Sequence, residues 1–212
     1  PKTYKSLDAV QSALEAKELA FPVLIKPRWG VASLGVYTAD DAKELEVFYK
    51  KSIKDIRNGY LKYESAFTPD EMILFQEKLT GQEYGLDVIN DLEGNFICVL
   101  PKSKLAMRAG ETDLGKTVSP VRFRDIALQI SNKLRHILIL SIDCFEIKGR
   151  IYVIEMNGRI SGHYPLSHLA GTNLPKQIIE WLEGRETNAN NFKFREGVYM
   201  IKDLLPVILN KE

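Results

Sequence analysis

Glu155, Asn157 and Arg159 follow the apolar run Ile151-Tyr152-Val153-Ile154 at alternate positions. Residues two apart in a strand share a face, so Glu155 and Asn157 point the same way if the strand continues through them. Asp143 lies on the preceding apolar run, Ser141 to Ile147. A three-residue turn over Lys148 to Arg150 would set Ile147 opposite Ile151 and Asp143 opposite Glu155; a two-residue turn would send Asp143 to the other face. Carboxylates opposed across a ladder repel each other. Among Val153, Phe145 and Ile147 they would also lose water, which is costly for an uncompensated charge. A hard divalent cation relieves both costs. Two carboxylates and an amide suit Mg²⁺, or Mn²⁺ in its place, with remaining positions left for water and phosphate. Arg159 then supplies a fixed fork of donors for a phosphate. The competing reading is a solvated strand end.

Two other stretches carry weaker signals. In "FPVLIKPRWGVASLGV", Lys26 ends an apolar strand just before a loop containing Gly30, Ser33 and Gly35. A lysine there reaches a ligand as a point charge, and free N–H groups of a small-residue loop cradle phosphate oxygens. The alternative is a snorkelling lysine beside a plain hairpin turn. In "ILFQEKLTGQEYGLDVIND", an apolar strand ends at Gln76-Glu77-Lys78-Leu79. A segment connecting two lobes can offer unpaired backbone groups to an adenine edge, and Glu83 can accept from ribose hydroxyls. An acid beside a turn is equally a solvated acid.

These residues need elements to position them. Helical spacing runs from Ser6 to Ala20, with Ser6 as N-cap. Strands are expected at Val23 to Lys26, near Leu34 to Tyr37, at Met72 to Glu77, Tyr84 to Ile89 and Phe96 to Leu100. Thr38 is expected to cap a helix reaching about Ile56, residues 57 to 70 read as irregular, and residues 101 to 120 are polar and rich in Lys and Gly. A helix is expected over Asp125 to Leu138, a hairpin over Ser141 to Met156, a helix over Pro175 to Leu182 and a strand near Val198 to Ile201. Strands arriving as adjacent hairpins argue for an α+β fold with antiparallel sheets. No Gly-x-Gly-x-x-Gly or Walker lysine loop is present.

Composition limits the alternatives. The 212 residues suffice for one large domain or two small lobes. A net charge of +1 offers no global field for nucleic acid or an acidic membrane. No apolar stretch approaches the ~20 residues of a membrane span. Cys98 and Cys144 lie in apolar runs without metal-ligand spacing, which fits buried free thiols and a cytoplasmic location. No Ser/His/Asp triad or catalytic cysteine is found.

Taken in order, a strand lysine with a small-residue loop, then Gln-Glu-Lys-Leu-x3-Glu, then an acid opposite Glu-x-Asn-x-Arg, the chain resembles the ATP-grasp superfamily. Within it the likeness is to the carbamoyl-phosphate-synthase-like carboxylate–amine ligases. It spans roughly Phe21 to Gly184. The resemblance implies an ATP-grasp fold of two lobes, residues 1–78 and 79–212, with mostly antiparallel sheets flanked by helices and nucleotide between them. It implies that Lys26 contacts nucleotide phosphates and that residues 30 to 35 form a lid. Gln76, Glu77, Lys78 and Leu79 would surround adenine, with Glu77 and Leu79 binding it through their backbones; Glu83 would hold the ribose. Asp143, Glu155 and Asn157 would be metal ligands, and Arg159 would act at the transferred phosphoryl group. Within "PKSKLAMRAGETDLGKTV", Arg108 is the candidate for a basic residue facing phosphates, with Lys102 second; a disordered basic loop is the alternative.

The implied activity is ATP- and Mg²⁺-dependent ligation forming a C–N bond, by way of an acyl phosphate attacked by an amine or similar nucleophile. The rivals are a nucleotide-binding module without ligase activity of its own, and an interaction domain that binds no nucleotide. Expected partners are a small carboxylate and an amine, an N-terminal domain of the same protein that helps to build the acceptor site, and a second copy in a homodimer. The departures are Gln76 where an acid is frequent, a glycine-poor lid with Trp29 at its start, and Gly158 in place of the usual proline. His163 and His168 are read as acceptor-pocket lining or surface.

Overall fold

The computed structural model describes residues 1–30, 33–108 and 110–203. Contacts divide the chain into two compact units, one over Pro1–Thr80 and one beginning at Gly81.

The first unit holds a four-stranded antiparallel sheet in the order β1-β4-β2-β3. Its strands are β1 (Thr3–Tyr4), β2 (Val23–Pro27), β3 (Tyr37–Ala39) and β4 (Ile73–Glu77). Helices α1 (Leu7–Glu15), α2 (Ala42–Asn58) and α3 (Lys62–Ser65) complete it. Val23, Ile25 and Phe75 alternate along the sheet and bury against Val10, Leu45 and Ile56 of the helices. Ser6 caps α1 by accepting from the Ala9 N–H, as its type and place predict. The second helix is capped by Asp41, which accepts from the Glu44 N–H, and not by Thr38. Thr38 pairs with Leu24 inside β3, three residues ahead of the actual cap. The expected strand at 34–37 therefore starts later, because Ser33 and Gly35 take positive φ and turn the chain first. Residues 57–70 are less irregular than expected, with α3 and a short 3₁₀ turn at Pro69–Glu71.

The second unit is built on a six-stranded antiparallel sheet in the order β10-β7-β6-β5-β8-β9. Its strands are β5 (Gln82–Asn90), β6 (Phe96–Arg108), β7 (Glu111–Thr117), β8 (Ile139–Ile147), β9 (Arg150–Asn157) and β10 (Tyr199–Ile201). One face carries Tyr84, Leu86, Val88, Val99 and Ile142, which pack with Phe123 and Ala127 at α4 (Arg124–Leu134). The other carries Ile89, Leu100 and Ile139, which pack with Tyr164 and Leu174 from α5 (Tyr164–Leu169) and α6 (Leu174–Leu182). Further along that second face the core gives way to polar residues.

The polar segment 101–120, for which a disordered basic loop was the alternative reading, is mostly β6 and β7. Pro101 does not stop β6, although it has no N–H to donate. Its carbonyl accepts from Val118, and the β6–β7 ladder begins one residue later, at Lys102–Thr117. The missing donor therefore falls just beyond that ladder. Cys144 is buried as expected, whereas Cys98 is only half-buried. Among the described residues, no helix is long and apolar enough to cross a membrane.

Candidate nucleotide and metal site

Asp143 pairs with Glu155, and Ser141 with Asn157, across the β8–β9 ladder. The route to this register differs from the one expected. The hairpin turn has two residues, Lys148 and Gly149, both at positive φ, with Ile147 opposite Arg150. That geometry suits a two-residue hairpin loop, and by itself it would put Asp143 opposite Ile154. A bulge restores the register: Cys144 pairs with Val153, the next pair is Asp143 with Glu155, and Ile154 is the extra residue.

The desolvation expected of both acids holds for one. Glu155 is exposed, because β9 is the edge strand of its sheet. Asp143 is largely covered, with 22% of its side chain accessible. Lys104 on β6 compensates its charge: Lys104 Nζ lies 2.9 Å from Asp143 Oδ1 and 2.8 Å from Glu83 Oε1. Burial alone would raise the Asp143 carboxyl, but His163 and Lys104 outweigh it and hold its pKa below the ordinary carboxylate value. Burial also works against the Lys104 ammonium; Asp143 and Glu83 reverse this, and its pKa lies above the ordinary lysine value. Lys104 thus offsets the charge of Asp143, and exposure to solvent serves that of Glu155.

Beneath this face lies a buried polar network. Leu100, Lys102 and Lys104 alternate along β6 and share one face, while Ser103 between the two lysines points to the other. Lys102, fully buried, forms an ion pair with the fully buried Asp87, and its Nζ donates to Ser167 Oγ at 2.8 Å. Ser161 and Ser167 also donate to Asp87. The His163 imidazole is buried between Ser161 Oγ (2.9 Å from Nδ1) and Ser141 Oγ (3.2 Å from Nε2). Asp87 and Asp143 lie 3.4 and 3.7 Å from its two nitrogens. Burial, with Lys102 nearby, lowers its pKa below the ordinary histidine value. His163 is therefore not a surface residue, while His168 is exposed.

Over the polar face opens a cleft of about 70 Å³, lined by Lys104, Glu111, Asp143, Asn157, Arg159 and His163 among others. A larger hollow of about 480 Å³ beside Asp91 and Trp181 contains none of the expected ligands. Asp143 Oδ1 is buried and has no aligned hydrogen-bond donor, although Lys104 Nζ is close. A buried oxygen left short of a donor, next to a cross-strand acid and an amide, fits a hard cation. Among the described residues no three His, Cys, Asp or Glu are grouped to hold a metal. Asp143, Glu155 and Asn157 offer only oxygen donors of the hard type that such a cation takes.

The other expected residues are placed as follows. Arg159 is exposed on the cleft and donates to its neighbour's carbonyl, that of Ile160, at 3.2 Å. Glu83 is engaged by Lys104. Lys102 is closed inside the buried pair, and Arg108 leaves the cleft, pairing with Asp113 and donating to the Lys202 carbonyl at 3.1 Å. In the first unit, Lys26 lies on β2 opposite Leu74, next to the strand's end at Pro27. Gln76 donates to Thr3 Oγ1. The Glu77 N–H already donates to the Lys2 carbonyl at 3.0 Å, so that group is not free for adenine. Lys78 and Leu79 follow the end of β4. Of the expected lid, Gly30 follows β2, and Ser33 to Gly35 form a turn that Ser52 fixes to α2 by donating to the Gly35 carbonyl at 3.0 Å. Val31 and Ala32 lie outside the described residues. Lys104 was missed in the sequence; its alternation with Leu100 and Lys102 was the available signal.

Comparison with solved structures gives the fold. The biotin carboxylase domain dimer of Hydrogenobacter thermophilus 2-oxoglutarate carboxylase, in complex with MgADP, ADP and bicarbonate, matches with a TM-score of 0.70 and 17% identity. The match covers 91% of this chain and 43% of that one. Rhizobium etli pyruvate carboxylase matches with a TM-score of 0.70 and 16% identity over 93% of this chain and 18% of that one. The fold is that of ATP-grasp proteins.

The family model described as "ATP-grasp in the biosynthetic pathway with Ter operon" matches residues 69–202, more than half of the chain, and the chain belongs to that family. The carbamoyl phosphate synthase large chain of Clostridium botulinum (strain Loch Maree / Type A3) is 26% identical over 216 residues, covering 96% of this chain and 19% of its own length. That of Clostridium beijerinckii is 29% identical over 170 residues, covering 74% and 14%. The chain thus spans a fifth or less of the length of these curated relatives.

Proposed function

We propose that this chain is an ATP-dependent ligase domain that activates a small carboxylate as an acyl phosphate for attack by an amine or similar nucleophile. The observation that carries the proposal is a cleft lined by Asp143, Asn157, Lys104 and Arg159, with Glu155 paired to Asp143 across the β8–β9 ladder. The matched family region, residues 69–202, contains all five residues.

Asp143, Glu155 and Asn157 would hold Mg²⁺, which when bound neutralises phosphate charge and orients the phosphates. Arg159 presents a guanidinium fork at the cleft, suited to the oxygens of the transferred phosphoryl group. Glu83 would accept from ribose hydroxyls. Lys26, the turn at Ser33 to Gly35 and the backbone of Leu79 are proposed nucleotide contacts of the first unit. In this reading the chain's residues act by positioning and by electrostatic stabilisation, as is general for phosphoryl transfer. The carboxylate oxygen bonds to the γ-phosphorus, the bond to the β-phosphate oxygen breaks, and ADP leaves; the amine then displaces phosphate.

The test is ADP release with Mg²⁺ and ATP across a panel of carboxylates, with and without amines. Carboxylate-dependent ADP release that disappears in Glu155→Ala supports the proposal. Release that is unchanged in that variant overturns it. Melting experiments separate the rival that binds no nucleotide, which predicts no change: at a hundred times its Kd, a bound nucleotide should add about 2.7 kcal/mol of stability whether or not turnover follows.

A further inference from the structure

We propose that Lys104 is the resident counter-ion of the metal face, holding Asp143 against cations until nucleotide phosphates are present. The inference rests on the reading of Asp143 as a metal ligand. Lys104 is 4% exposed, so water contributes little to its charge, and its ammonium spans Asp143 and Glu83 at 2.9 and 2.8 Å. Its backbone is held as well, since Gln82 Nε2 donates to the Lys104 carbonyl at 3.0 Å. Lys102, on the same face of β6, makes an instructive contrast. It is closed in with Asp87 and reaches no cleft, whereas Lys104 lines the cleft.

A divalent cation approaching Asp143 alone meets the ammonium already beside the oxygen it would take. Phosphate anions change this balance, because they offer Lys104 a second set of acceptors. The same lysine contacts the acid proposed for ribose and the acid proposed for metal, so occupation of either bears on the other. Metal and nucleotide should therefore bind with positive coupling, and that coupling is reciprocal.

Mn²⁺ titrations followed by electron paramagnetic resonance test this with the full chain, first without nucleotide and then with ATP. Wild type should bind Mn²⁺ weakly alone and about tenfold or more tightly with ATP. Lys104→Met should bind Mn²⁺ about tenfold more tightly than wild type without nucleotide, and ATP should then add little. Lys104→Gln carries the same expectation if the methionine variant does not fold. Lys104→Arg should resemble wild type, and Lys104→Met with Asp143→Asn should lose the gain. Arg185→Met removes an exposed cation that pairs with Glu183 and does not line the cleft, and it should leave nucleotide-free binding unchanged. An equal gain in Arg185→Met, or none in Lys104→Met, overturns the role of Lys104 while leaving the metal site standing. Absence of Mn²⁺ binding in every protein, even with ATP, overturns the metal reading and this inference with it.

Discussion

His163 packs directly on the backbone of Gly85: a Cβ built on Gly85 would lie 2.6 Å from His163 Nε2. Gly85 pairs with Asp143 on one side and Lys102 on the other, so the bare Cα leaves a slot in the middle of the polar face. Gly85→Ala should destabilise the protein by about 1–3 kcal/mol, the usual cost of forcing extra atoms into a packed interior. Urea unfolding measures it. An unchanged midpoint would mean that the imidazole is free to leave the slot.

Lys102 is structural. Lys102→Met would leave the Asp87 carboxylate buried without its cation, a loss of about 3–5 kcal/mol. Ser161, Ser167 and His163 would still surround Asp87 but would not replace the charge. Denaturant unfolding of the variant checks this, and a loss below about 1 kcal/mol, the range of an exposed pair, would count against it.

Much of the fold was legible because its signals are local. Ser6 announces α1 through the donor that it accepts from, and apolar alternation marks β2, β4 and the β8–β9 hairpin. The pairing of Asp143 with Glu155 was expected through a longer turn; the actual cause is a bulge at Ile154, which no apolar pattern announces. Lys104 was hidden because Pro101 reads as the end of a strand, and only the offset of the β6–β7 ladder lets the strand continue. The place of His163 depends on the missing side chain at Gly85, far away in sequence.

Stability should fall with acid before the carboxylates titrate. His136 Nε2 lies 3.2 Å from the Val88 carbonyl, and its Nδ1 is buried without a partner. Burial lowers its pKa, with the Val88 carbonyl opposing. The unfolded chain therefore takes up a proton near the ordinary histidine value, about 6.5, that the folded one resists. The contribution of this histidine is complete above about pH 6.5 and is lost as pH falls below it. His163 shifts in the same direction and adds to the loss. Melting temperatures of the metal-free protein from about pH 8 to about pH 5 should be level and then decline, less steeply in His136→Gln. An identical decline in that variant would remove His136 from the account.

The two acids of the hairpin should separate in their effect on stability. Asp143 is mostly covered and partners Lys104, whereas Glu155 is exposed on an edge strand. Without metal or nucleotide, Asp143→Asn should cost roughly 1–3 kcal/mol, because Lys104 loses one of its two carboxylates. Glu155→Ala should stay within about 0.5 kcal/mol of wild type, as surface substitutions do. With Mg²⁺ and ATP the two should converge, both failing to gain the stabilisation that wild type gains. Thermal melts under the two conditions give all the values. If Glu155→Ala keeps the full nucleotide-linked gain, Glu155 is not a metal ligand, and its pairing with Asp143 is only a feature of the hairpin ladder.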